Sequence, residues 1–86
     1  MSDHEVTPIG LGALNRALEL VKLVAMAEAL GVQYQLIQQW RTPGRAYACP
    51  AEHCIGVERA TEGRVRCEEL RPDINWAYLR GTKRAA

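Results

Sequence analysis

The chain has 86 residues, near the lower limit at which one domain buries enough surface to fold unaided, so a single domain is expected. Hydrophobic residues make up 48%, mostly Ala, Leu and Val with no Phe, which suits a compact helical domain and lacks strand-favouring runs of Val, Ile, Thr and aromatics. The net charge of +1 does not announce a nucleic-acid binder, but it is unevenly spread: Arg41 and Arg45 are the only charges between Gln33 and Cys49, whereas five of the ten acids lie between Glu52 and Glu69. No apolar run approaches the roughly 20 residues a membrane span needs, and MSDHEVTPIG does not read as a signal peptide, so a cytoplasmic location with no membrane contact is expected. Cys49, Cys54 and Cys67 form an odd set, which argues against a disulfide framework. Zinc at Cys49, His53, Cys54 and Cys67 is a weak reading, because one Cys-x4-Cys has no second tight ligand pair; buried thiols, no metal and no cofactor are expected.

In chain order, residues 1–10 read as a loose N-terminal arm, with Pro8 and the close pair Gly10 and Gly12 at its end; His4 within it carries no assigned role. Leu11, Leu14, Leu18 and Val21, with Ala17 beside them, recur at steps of three and four and predict a first helix over 11–22. Leu23, Met26, Ala27 and Leu30 predict a second, which Gly31 stops. Local chemistry shows no break between the two. Glu19 to Ala27 contains no Gly, Pro, Ser or Asn, so propensity alone runs one helix from 11 to 30, and the division rests on the Gly31 turn and the helix beyond it.

A third helix is predicted over Gln33–Trp40. At about 100° per residue, Leu36, Ile37 and Trp40 share roughly a third of the wheel, and Tyr34, Gln35, Gln38 and Gln39 fill the other side. Thr42-Pro43-Gly44 opens a loop through Ala48. Pro50 is the expected first residue of a fourth helix over 50–61, packing through Cys54, Ile55, Val57 and Ala60 and closed by Gly63. A short helical turn is expected at Cys67–Leu70, stopped by Pro72, and Ile74, Trp76, Tyr78 and Leu79 form a last apolar cluster, read as core or dimer contacts. The expected architecture is all-α: a compact domain of four to five helices over 11–80, with a flexible tail over 81–86.

The unit from Leu23 to Trp40 fits a helix-turn-helix. A small residue is needed where two helices cross, and Ala27 is there. The turn needs a residue tolerant of positive φ, and Gly31 lies four positions later. Ile37 and Trp40, six and nine positions after Gly31, face back, with Met26, Leu30 and Val32 completing the contact. Where such units bind DNA, the second helix enters the major groove. The candidate base-reading face is Gln33, Tyr34, Gln35, Gln38 and Gln39, since a glutamine amide offers a donor and an acceptor matching N6 and N7 of adenine. Lys22, Arg41, Thr42 and Arg45 are candidate phosphate contacts, and Arg16 is read as an ordinary surface charge. A solvated glutamine face on a helix hairpin that never touches DNA stays open as the plainer reading.

The string CPAEHCIGVERATEGRVRCEELRPDINWAYLRG, residues 49–81, resembles the YdaS family of Cro-like regulators from lambdoid prophages. The resemblance rests on Pro50-Ala51-Glu52-His53-Cys54, on Val57-Glu58-Arg59-Ala60-Thr61 and on Leu70-Arg71-Pro72-Asp73, with ALGVQYQLIQQW matching the helix-turn-helix. It implies a lambda-repressor-like domain that acts at prophage operators, with Gln33, Tyr34, Gln35, Gln38 and Gln39 on its recognition helix. Two departures stand out. Val21-Lys22 and Leu23-Val24 replace the family's Gly-Gly and Gln-Ser, which removes the expected helix break and a phosphate-touching glutamine, and Leu36 replaces a small residue.

Two functions are compatible with these residues. The first is a repressor that binds a palindromic operator duplex as a homodimer; the second is a protein-interaction module of a toxin-antitoxin or prophage regulatory system. Catalysis is not expected, because the sequence offers no close acid pair, base-activated nucleophile or phosphate-cradling glycine loop.

Overall fold

The computed structural model describes residues 7–81. It contains α1 (Leu11–Leu20), α2 (Leu23–Leu30), α3 (Tyr34–Trp40), α4 (Ala51–Ala60), α5 (Cys67–Leu70) and α6 (Trp76–Gly81). Strands are absent among the described residues, so the all-α expectation holds; the helix beyond the expected count is α6, where the sequence suggested only an apolar cluster. α2 packs on both α3 and α4, α4 packs on α5, and α5 packs on α1. Leu14, Met26, Ile37, Trp40, Val57, Val65 and Leu70 are fully buried between them and form one core.

The break that local chemistry concealed lies at Val21 (φ −126°, ψ 114°) and Lys22 (φ −61°, ψ 161°), both extended. Its cause is tertiary. In a continuous helix Met26 would sit about 120° around from Leu14 and about 18 Å along the axis. Both side chains belong to the same core, so the chain has to fold back between them. Val21 is a weak helix former, which keeps the local cost of leaving the helix small. Its N–H still closes the last turn of α1 on the Ala17 carbonyl at 2.8 Å, and Lys22 O accepts from Met26 N at 2.8 Å to start α2.

Gly31 ends α2 in the left-handed region (φ 73°, ψ 30°). Its N–H donates to Glu28 O at 3.2 Å, and the Val32 N–H donates to Ala27 O at 3.0 Å. This pair of bonds is a Schellman closure, and it turns the chain into α3 with Val32 packed against the core.

Several sequence expectations need correction. Pro50 precedes α4 with an extended ψ of 146° and so is its cap rather than its first residue. Cys54 and Val57 of α4 are buried, but Ile55 is 53% exposed, because it lies on the side of α4 away from them. Leu36 is 36% exposed at the edge of α3, and Tyr78 and Leu79 of α6 face outward while Trp76 of that helix enters the core. Of the N-terminal arm, residues 1–6 lie outside the described residues. Pro8 is buried, and Ile9 pairs with the loop after α3 through Ile9 N–H to Ala46 O (3.1 Å) and Ala48 N–H to Ile9 O (2.9 Å). The tail 82–86 also lies outside the described residues.

Gly10 (φ 82°) opens α1 where the helix meets α5, and a Cβ there would lie 2.0 Å from the Leu70 carbonyl oxygen. Gly44 (φ 92°) has the same backbone handedness but open space around it. Gly44→Ala is therefore expected to cost about 1–2 kcal/mol in urea denaturation, and Gly10→Ala about 3 kcal/mol or more because α1 and α5 must part. Equal losses would show that the α1–α5 contact yields freely.

Candidate nucleic-acid interface

The candidate interface is built on α3. Gln33 is extended (φ −83°, ψ 145°) ahead of the first turn, and its carbonyl accepts from Leu36 N at 3.0 Å. Ile37 and Trp40 are buried against the rest of the helix-turn-helix, and the Trp40 ring lies 5.2 Å from the His53 ring on α4. With these two side chains inward, Gln33, Tyr34, Gln35, Gln38 and Gln39 all stand exposed, and no charge interrupts residues 33–40.

Beyond α3, Arg41 is exposed, and its Nε donates to Asn15 Oδ1 on α1 at 3.0 Å. Thr42 is exposed, and its N–H donates to Gln39 O at 3.1 Å. Arg45 is half-buried: its Nε donates to Tyr47 O at 3.1 Å, and its guanidinium lies 5.6 Å from the Tyr47 ring centroid. Lys22 caps the entry to α2, whose N-terminus has no side-chain cap, and its Nζ donates back to Glu19 O at 3.3 Å. Arg16 is ion-paired with Glu69 of α5, which agrees with its reading as a surface charge. Gln33, Tyr34, Gln35, Gln38, Gln39, Arg41 and Thr42 are thus all exposed, whereas Arg45 is drawn partly inward onto Tyr47.

Two residues that sequence reasoning left without a role hold the surroundings in place. Asn15 is one. Arg71 is the other. Only 9% exposed, it donates to both oxygens of Asp73 (Nε 3.0 Å, Nη2 2.8 Å) and to Cys49 O (3.5 Å), and it lies 4.0 Å from the Tyr47 ring centroid. The Arg71 carbonyl accepts the Trp76 Nε1 hydrogen at 2.8 Å. The spacing Arg71-Pro72-Asp73 was the available signal: a proline turn places a carboxylate two residues from a guanidinium. The hydrogen bonds from Arg71 hold the Asp73 carboxyl below the usual carboxylate range, and Asp73 in turn raises Arg71.

The three cysteines are buried. Cys49 and Cys54 flank the start of α4 at the two positions where a hydrophobic staple brings side chains together. Their mutual hydrogen bond and burial push the Cys49 thiol up, while that same bond, aided by the charge of Arg71, draws Cys54 down. Among the described residues no group of three or more His, Cys, Asp or Glu is arranged to hold a metal ion, and no helix is long and apolar enough to cross a membrane.

An all-α core presenting the second helix of a helix-turn-helix outward defines the class: a small helix-turn-helix domain. Residues 14–79 match the family described as bacterial toxin YdaS, and the chain belongs to that family. Over 56 residues it is 55% identical to the Escherichia coli (strain K12) protein named "Putative transcriptional regulator YdaS", a stretch covering 65% of this chain and 55% of that protein. The chain therefore matches little more than half the length of this relative. A solved structure, "the Cro protein from putative prophage element Xfaso 1 in Xylella fastidiosa strain Ann-1", superimposes with a TM-score of 0.63 at 44% identity, covering 72% of this chain and 92% of that one.

The Arg71–Asp73 pair sets a pH dependence. Because the folded-state pKa of Asp73 is depressed, its contribution is complete above the ordinary carboxylate value of about 3.9 and is lost as pH falls through the lower folded value. Urea midpoints of the native protein should fall from about pH 4 downward, and Asp73→Asn should flatten that part of the profile while lowering stability at pH 7. Parallel profiles for the two proteins would remove Asp73 from the acid response.

Proposed function

We propose that the chain is a non-enzymatic, sequence-specific regulator of transcription that places α3 in the major groove of duplex operator DNA. The observation that carries this reading is the uncharged, outward face of Gln33, Tyr34, Gln35, Gln38 and Gln39 on a helix anchored by Ile37 and Trp40. Glutamine amides suit the paired donor and acceptor of adenine, and uncharged readers meet no repulsion from phosphates. Arg41 and Thr42, which follow this face, and the exposed Lys22 at the start of α2 serve in this reading as phosphate contacts that set register; Arg45, partly turned onto Tyr47, adds charge more than direct contact. Membership of the YdaS family, the regulator name of one relative and the Cro name of the structural neighbour support the reading.

Two copies reading successive major grooves would place their α3 helices about 34 Å apart on a palindromic site. The exposed Tyr78 and Leu79 of α6 supply apolar surface for such a homodimer. A cytoplasmic location accords with the regulatory role.

One observation favours a second reading, a protein-interaction module within a toxin-antitoxin or prophage regulatory system: the family description names a toxin. The near-neutral charge of +1 agrees with it. Purification from nuclease-treated host lysate separates the two, since a stoichiometric protein partner favours the interaction module.

Gel-shift titration against the DNA upstream of the protein's own gene should show tight binding that scrambled duplex does not reproduce; affinity indifferent to sequence would sink specific regulation. Gln35→Ala or Gln38→Ala should cost about 1–3 kcal/mol at one operator position and little on random duplex. Arg41→Ala should weaken every sequence alike and lower the salt slope by about one. An unchanged slope would strike Arg41 from the phosphate contacts.

A further inference from the structure

Five arginines of the described residues fall into two groups by what holds them. Arg16, Arg66 and Arg71 each face a carboxylate, from Glu69, Glu68 and Asp73 respectively, so their charge is locally compensated. The two arginines after α3 differ. Arg41 gives its Nε hydrogen to the side-chain amide oxygen of Asn15 at 3.0 Å, and Arg45 gives its Nε hydrogen to the backbone oxygen of Tyr47 at 3.1 Å. Both acceptors are neutral. Each bond uses the stem-side nitrogen, so the acceptor does not occupy the end-on pair of N–H bonds that the two terminal nitrogens present together.

That arrangement matters most at Arg41, which is exposed, whereas Arg45 is also restrained by its ring contact and burial. An unrestrained arginine loses rotamer freedom when it is fixed in one geometry. A partner on Nε removes part of that freedom in advance, and a neutral partner does so without cancelling the charge. A phosphate takes two parallel N–H bonds from the terminal nitrogens of a guanidinium. Asn15 reaches Arg41 from α1, 26 residues earlier in the chain, so the orientation of Arg41 is tied to the seating of α1 beside the helix-turn-helix.

We propose that Asn15 is a positioning residue: it holds Arg41 through a neutral Nε bond so that the terminal guanidinium nitrogens grip a DNA backbone phosphate at the end of α3. The proposal rests on the DNA-binding reading and extends it to a residue outside the helix-turn-helix. Asparagine suits the role better than either obvious relative. Alanine would free the guanidinium, and aspartate would orient it but neutralise it.

The test is binding to a mixed-sequence duplex of about two helical turns, measured by fluorescence anisotropy over a range of salt, with Asn15→Ala, Asn15→Asp, Arg41→Ala and the double variant Asn15→Ala/Arg41→Ala. Asn15→Ala should weaken binding about three- to tenfold in the wild-type background and leave affinity unchanged in the Arg41→Ala background. Asn15→Asp should weaken it further and lower the salt slope by about one, because the carboxylate takes the place of the phosphate. The Arg41 Nε–H NMR signal of the free protein should be ordered in the wild type and mobile in Asn15→Ala. Equal losses from Asn15→Ala in both backgrounds, or a mobile Arg41 signal in the wild type, would overturn the positioning role while leaving DNA binding intact. A wild-type protein with no salt-dependent affinity for any duplex would overturn both.

Discussion

A helix of seven residues does not hold its shape in water by itself, and α3 has seven. Its existence depends on the burial of Ile37 and Trp40 against the rest of the core. Deleting either side chain would remove about 2–5 kcal/mol of packing, a large share of the stability of any domain this small. Because those two positions fix the rotation of α3 about its axis, they also decide which residues face outward. Gln35, Gln38 and Gln39 are surface residues as a consequence of what Ile37 and Trp40 require.

The C-terminal half contributes through a different kind of bond. Arg71 gathers Asp73, the Cys49 carbonyl and the Tyr47 ring around one buried guanidinium. Thr61 performs a related task at the end of α4: its hydroxyl donates to Val57 O at 3.0 Å and accepts from Val65 N at 3.1 Å. Glu58 then caps α5 by accepting from Cys67 N at 2.9 Å. Polar side chains thus bind short segments that have too little apolar surface to pack by themselves. The acidic stretch between Glu52 and Glu69 holds one such fastener in Glu58.

How much was legible in the sequence depends on whether the determining physics is local. Ala27, Gly31, Ile37 and Trp40 are legible because a helix crossing, a left-handed turn and an inward face each demand a residue type at a set spacing. The glutamine face is legible as exposed for the same reason; that it reads DNA is our proposal. The Val21–Lys22 break is not legible, since it arises from the need to bring Leu14 and Met26 into one core. The outward turn of Ile55, Tyr78 and Leu79 is hidden too, because helical periodicity counts apolar residues without knowing which neighbours will cover them. Asn15 escapes for a third reason, since its partner lies 26 residues away; Arg71 is signalled by Asp73 two residues on, but its bond to the Cys49 carbonyl 22 residues back is not.

The pairing of Ile9 with Ala46 and Ala48 bears on the speed of encounter with a ligand. The loop after α3 is held at its start by Arg41 on Asn15, in its middle by Ile9, and at its end by Arg71 on the Cys49 carbonyl. A segment restrained at three points has lost most of its conformational entropy during folding, so little remains to be lost on binding. In the proposed contact with DNA, such a loop would need no ordering step that slows association.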